Sequence, residues 1–168
     1  MYKALAARVS KKLIDEKPTL DMYIFPKNIV HILFSRSSAG MFYGAHIDSA
    51  HIPTGRRDYS FTLFLTNPGD YEGGELVLNI PPEQKAVKLD AGSIIIYPTK
   101  YCHEVKEVTS GERMVCVGWL ESYIRKDDER EMLGFLRAAI AHTKSNDSSK
   151  SLLALNIAYQ RLKKYFGD

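Results

Sequence analysis

The spacing of apolar positions changes period twice along the chain. Near the N-terminus Leu5, Val9 and Leu13 recur at i, i+4 and i+8. That spacing predicts an amphipathic helix that packs on a sheet and stops near Lys17-Pro18, where proline disfavours continuation. From Asn28 to about residue 120 the helical period gives way to short β-rich runs at 29–34, 59–65, 75–79, 85–89, 93–97, 103–108 and 113–120. Turn signals separate them at Asn67-Pro68-Gly69-Asp70, Glu72-Gly73-Gly74, Pro81-Pro82, Asp90-Ala91-Gly92 and Ser110-Gly111. Many short strands with no helical pattern between them predict a mainly β fold, an antiparallel barrel or jelly roll, rather than βαβ units. After Asp127 the helical period returns, first with Leu133, Leu136 and Ile140 and then with Leu152, Leu155, Ala158 and Leu162. Lys144 to Lys150 reads as the polar connector between these two helices.

At 168 residues and 45% apolar content, the chain suits a single domain over 1–168, with a β core at 28–122 and a helical segment at 127–166. The net charge of +3 comes from 23 basic and 20 acidic residues scattered throughout, which describes a mixed solvated surface and gives no reason to expect direct nucleic-acid binding. Cys102 and Cys116 are the two cysteines and form no CxxC pair, so neither a disulfide framework nor a thiolate metal site is indicated. Met1 to Leu13 interleaves Lys3, Arg8, Lys11 and Lys12 with apolar residues and lacks the continuous apolar stretch of a secretion signal. No run has the length of a membrane span. The expected setting is the reducing cytoplasm, without a membrane partner.

Against this background His46, Asp48 and His103 carry the most chemical information. In Met41-Phe42-Tyr43-Gly44-Ala45-His46-Ile47-Asp48 the two polar side chains fall on one side of an extended strand, because side chains alternate with period two. Two imidazoles and a carboxylate on one face of an octahedral ion leave three positions open, as an oxygen-activating Fe(II) site needs, whereas a structural zinc site closes all four. A His-x-Asp pair by itself also fits a surface His beside a surface Asp, and His103 by itself fits a satisfied core histidine. His31, inside an apolar strand, and His142, near a helix end, read as structural or solvated. Cys102 points to the opposite strand face from His103.

Arg113 raises a second question. It shares a strand face with Val115, Val117 and Trp119, while Met114, Cys116 and Gly118 share the other. If that face points inward, the guanidinium needs an anion, most simply a carboxylate. If it points outward, Arg113 is solvated.

Taken together, Tyr43 to Asp48, Arg57-Asp58-Tyr59-Ser60-Phe61-Thr62-Leu63-Phe64-Leu65, Tyr71-Glu72-Gly73-Gly74-Glu75-Leu76, and Gly92 through His103 to Arg113 resemble the 2-oxoglutarate- and Fe(II)-dependent dioxygenases, within them the PKHD-type (prolyl/lysyl hydroxylase-like) group. The likeness runs from about residue 40 to 120 and extends to the helical tail. It implies a double-stranded β-helix (jelly roll) with flanking N-terminal and C-terminal helices, with His103 and Arg113 on strands of two facing sheets. It implies Fe(II) on His46, Asp48 and His103, 2-oxoglutarate as co-substrate with its distal carboxylate on Arg113, and ascorbate in support. Tyr43, Thr62, Tyr97 and Trp119 become pocket walls. Family members usually carry more sequence before the first metal ligand than the 45 residues that precede His46 here, so a compact or trimmed version is expected.

The activity implied is hydroxylation of a C–H bond, on a prolyl or other residue of a protein or peptide, with release of succinate and CO2. Two alternatives stay open: the same iron chemistry on a small molecule such as a free amino acid or siderophore-like compound, and a non-catalytic β-barrel binding module. The segment Ser49 to Arg57, just past the first two candidate ligands, reads equally as a loop that gates or grips substrate and as an ordinary polar surface loop.

Overall fold

The computed structural model describes residues 2–16, 20, 23–145 and 149–167. The helix stop expected at Lys17-Pro18, and Asn146, Asp147 and Ser148 of the expected polar connector, lie outside the described residues. Two compact units emerge, one formed by 1–27 with 122–168 and the other by 28–121.

The second unit holds the β core. In chain order its strands are β1 (Pro26–Ser38, which begins in the first unit), β2 (Tyr43–His46), β3 (His51–Ile52), β4 (Gly55–Arg56), β5 (Tyr59–Phe64), β6 (Tyr71–Gly73), β7 (Leu76–Ile80), β8 (Glu83–Val87), β9 (Ile94–Pro98), β10 (His103–Val105) and β11 (Val108–Ser122). They form a major sheet in the order β1-β11-β5-β9, with β6 also paired to β11, and a minor sheet in the order β2-β10-β7-β8. All registered pairs are antiparallel. Phe64, Val115 and Tyr97 from the major sheet and Leu76, Leu78 and Val87 from the minor sheet form one buried cluster. Each fully buried aliphatic or phenyl group there contributes about 1.5–3 kcal/mol, and this shared layer holds the sheets face to face. The architecture is the expected double-stranded β-helix, and His103 and Arg113 do lie on strands of different sheets.

Each sequence-predicted strand has its counterpart, with shifted ends. Val108, expected at the end of one strand, begins the next, so that β11 runs 15 residues. Two segments differ from expectation. Ser49 to Arg57 contains a two-stranded hairpin, with His51 opposite Arg56 and Ile52 opposite Gly55, and Thr54 Oγ1 donates to the Val30 carbonyl at 3.0 Å. The Gly73-Gly74 turn has φ of +68° and +66° at its two glycines as expected, but Tyr71–Gly73 also pairs with β11.

Gly118, central in β11, shows how tightly the major sheet is built. A Cβ there would sit 2.5 Å from the His31 carbonyl oxygen and 2.5 Å from Phe61 Cζ. Neither a backbone carbonyl in a paired strand nor a ring that is 1% exposed can give way cheaply. We expect Gly118→Ala to lower stability by about 3 kcal/mol, read as a fall in the urea midpoint at unchanged slope. A midpoint within error of the parent would show that β1 and Phe61 have room to yield.

In the first unit, helices α1 (Tyr2–Asp15), α2 (Asp127–Ser145) and α3 (Ser149–Phe166) accompany a cluster of Phe25, Ile124, Leu133 and Tyr159, with Leu136, Ile140, Leu162 and Phe166 packed against it. Of the predicted N-terminal stripe, Leu13 is buried and Leu5 is exposed. In α3 the inward position is Tyr159 rather than Ala158, which is exposed. No helix among the described residues is long and apolar enough to cross a membrane.

Candidate metal centre

The site starts from one strand pairing. β2 and β10 run antiparallel with His46 opposite His103, so two imidazoles separated by half the core meet as cross-strand neighbours, ring centroids 4.3 Å apart. Just past the end of β2, Asp48 turns its carboxylate to both: Oδ1 lies 3.6 Å from His46 Nε2 and Oδ2 lies 3.7 Å from His103 Nε2. One ligand atom from each of the three residues falls within 4.8 Å of the others, a spacing that one ion could bridge. It is the only such group of three or more His, Cys, Asp or Glu among the described residues.

What fixes the rings is the backbone. His46 Nδ1 is 2.8 Å from the Gly44 carbonyl and His103 Nδ1 is 3.0 Å from the Tyr101 carbonyl, in both cases two residues upstream. A carbonyl only accepts, so each Nδ1 donates, and in the neutral ring Nε2 is the nitrogen whose lone pair faces Asp48. This is the tautomer a metal-binding imidazole needs, oriented by the partner that such ligands use.

The carboxylate is held as firmly. Asp48 Oδ2 accepts hydrogen bonds from Trp119 Nε1 at 2.8 Å and Ser60 Oγ at 2.9 Å. Behind Ser60 stands the Thr99 hydroxyl at 3.1 Å. With Oδ2 engaged by two donors, Oδ1 has the freer lone pairs. The donor set fits a first-row divalent ion in facial coordination, since the histidines supply neutral nitrogen, the aspartate supplies charge, and nothing else among the described residues closes the remaining positions.

Arg113 lies in the same cavity, which has a volume of about 690 Å³. The strand face of Arg113, Val115, Val117 and Trp119 points inward and all four line it, which decides the question the sequence left open. Arg113 is 3% exposed, with its guanidinium carbon 5.8 Å from the centre of the Phe64 ring. Burial pushes its pKa below the ordinary value, and the neighbouring Tyr71 and Tyr97 phenols partly oppose the shift. Arg113 Nε is a buried polar atom with no hydrogen-bond partner. A buried donor of a charged group beside a phenol is what a carboxylate would satisfy, so the residues fit a carboxylate ligand.

The other sequence-selected residues come to the same cavity. Tyr43, largely exposed, lays its ring 4.0 Å from that of His46. Tyr97 meets His103 edge-on at 5.2 Å. Burial, and next the Asp48 charge, keep the Tyr97 phenol protonated well above its usual range, against a hydrogen bond with Thr62 and the Arg113 charge. Trp119 is a donor to Asp48 as well as a wall. His31 is exposed on β1 and stacks on Trp119 at 6.1 Å. Sequence reasoning missed Ser60, Thr99 and Tyr71. The first left a trace, because Ser60 and Thr62 are polar positions alternating on the buried side of an otherwise apolar strand.

Comparison with known proteins bears on this arrangement. The model of the 2OG-Fe(II) oxygenase superfamily matches residues 32–121. A PKHD-type hydroxylase of Prochlorococcus marinus (strain MIT 9515) is 49% identical over 127 residues, covering 76% of this chain and 58% of the relative. A PKHD-type hydroxylase of Prochlorococcus marinus (strain MIT 9313) is 42% identical, covering 94% of this chain and 72% of the relative. The chain thus spans less than two thirds of the first relative's length. Among solved structures, the viral collagen prolyl hydroxylase of Paramecium Bursaria Chlorella virus-1 superposes with a TM-score of 0.54 at 20% identity, covering 69% of this chain and 72% of that one. That likeness is one of fold.

Proposed function

Because this chain belongs to the 2OG-Fe(II) oxygenase superfamily and matches its PKHD-type hydroxylases over most of its length, we propose that it is a 2-oxoglutarate-dependent dioxygenase hydroxylating a C–H bond of a prolyl or other residue in a protein or peptide. The observation that carries the reading is one cavity holding both a His46–Asp48–His103 cluster with both Nε2 atoms turned to the Asp48 carboxylate and a buried Arg113 with an unpartnered Nε. A non-catalytic binding module has no need of that pair.

In this reading His46, Asp48 and His103 hold Fe(II), and Arg113 receives the distal carboxylate of 2-oxoglutarate. When bound, the metal and co-substrate supply dioxygen activation, coupling conversion of 2-oxoglutarate to succinate and CO2 to oxygen insertion into a C–H bond. The protein's own work is orientation. Gly44 and Tyr101 carbonyls hold the imidazoles, Trp119 and Ser60 hold the carboxylate, and Thr62, Val115, Val117 and Tyr97 wall the chamber against water. The Tyr97 phenol stays neutral beside Asp48 and supplies no second negative charge to compete with it.

The rim supports a peptide as the group attacked. Met41, Phe42, Tyr43 and Ile47 line the cavity and stay 48%, 70%, 61% and 61% exposed. A run of apolar side chains open to solvent beside the metal suits an extended polymer laid across the mouth better than a small molecule sealed within.

Anaerobic addition of Fe(II) and 2-oxoglutarate tests the reading, through the weak visible metal-to-ligand absorption of the chelate. The band is expected in the parent and absent in a folded His103→Ala. Its absence from well-folded, iron-loaded parent protein would turn the assignment toward a binding module.

A further inference from the structure

The cavity contains a second guanidinium that the reading above does not use. Arg56 and Arg57 are adjacent, yet their side chains have different fates. Arg56 Nε donates to both oxygens of Asp58 at 2.9 and 3.0 Å, and its Nη1 stands 3.7 Å from Glu121. Arg57 forms no ion pair among the described residues. Its Cζ lies 3.9 Å from the centroid of Trp119, a stacking distance, and its Nε is buried with no hydrogen-bond partner. The backbone fixes it there: Arg57 N donates to the Ala50 carbonyl at 2.8 Å, closing the foot of the β3–β4 hairpin. That hairpin is pinned to β1 through Thr54.

Arg57, Arg113 and Asp48 are the Arg, Lys, Asp and Glu residues that line the cavity. With a divalent ion on the triad and a dicarboxylate on Arg113, the charges of metal and Arg113 balance those of Asp48 and the co-substrate. Arg57 is then left without a counter-charge. A guanidinium stacked on an indole keeps its in-plane N–H edge for a planar oxygen acceptor. Through the Trp119 N–H to Asp48, that edge is one side chain removed from the metal ligands.

We propose that Arg57 is the specificity-determining residue for the primary substrate and that it grips the terminal carboxylate of a peptide, on the residue whose C–H bond is to be attacked. This rests on the oxygenase reading for its charge balance. The Ser49–Arg57 segment then acts as a grip, with the hairpin as its rigid handle.

Trp119 is the chain's single tryptophan and touches Arg57, so its fluorescence reports directly on that edge. Anaerobic protein loaded with Fe(II) and 2-oxoglutarate is titrated with N-acetyl-L-proline and with its amide, the chelate band being recorded alongside. The acid is expected to give a saturable change with affinity about tenfold or more above the amide's, at an unchanged band. Arg57→Gln removes that preference and Arg57→Lys retains part of it. Equal affinities for acid and amide, a preference that survives in Arg57→Gln, or no saturable response to the acid while the chelate band persists would each overturn the inference. A missing chelate band in the parent protein sinks the oxygenase reading itself and is read separately.

Discussion

Asp48→Ala is expected to abolish both Fe(II) loading and 2-oxoglutarate turnover, the largest effect any single substitution in this chain should have. Two losses coincide at one side chain. The two imidazoles lose the carboxylate that stands 3.6 and 3.7 Å from their Nε2 atoms, and two neutral nitrogens alone make a weak site for Fe(II). Trp119 Nε1 and Ser60 Oγ lose their common acceptor; Ser60 keeps the Thr99 hydroxyl, while an indole N–H left unpaired costs about 1–3 kcal/mol. On the proposed Fe(II) the carboxylate would hold the third protein position and would leave no place there for a halide. Asp48→Asn separates these effects: its amide oxygen still accepts from Trp119 and Ser60, so the fold is kept while the ligand charge is gone. Both variants are measured by equilibrium dialysis with Fe(II) and by succinate release. Parent-level turnover in either would remove Asp48 from the site.

The second large effect concerns Arg113→Met. Charge-assisted hydrogen bonds are each worth about 1.5–3 kcal/mol, so the 2-oxoglutarate concentration for half-maximal turnover should rise by about 10- to 150-fold. Stability should move the other way. An arginine that is 3% exposed, with its charged form disfavoured by burial and its Nε unpartnered, contributes little to the ligand-free fold. The thermal midpoint without ligand should therefore hold or rise, while the increase caused by 2-oxoglutarate disappears. An unchanged 2-oxoglutarate requirement would show that the distal carboxylate lies elsewhere, and a ligand-free protein that collapses would show that Arg113 is a structural strut.

How much of this was legible in the sequence depends on how local each signal is. The paired runs at 59–65, 75–79, 85–89 and 93–97 announce themselves because their apolar residues are contiguous or alternate within a few positions. The hairpin at β3–β4 and the three-residue β6 do not, since strands of two or three residues carry no period and β6 exists through its pairing with β11. The triad could be proposed from residue types, yet its convergence rests on the opposition of His46 and His103 across β2 and β10, a non-local register. Ser60 and Thr99 support Asp48 from two other strand regions, and no motif links them. The unlike fates of Arg56 and Arg57 are equally invisible in a run of two arginines.

Both histidines take their orientation from a carbonyl two residues earlier on their own chain. Neither imidazole depends on the ion for its pose, so the cost of ordering the ligands is met when the polypeptide folds. Less of the binding free energy is then spent on ordering the ligands, so the ion stabilises the fold by mass action rather than by building its own site.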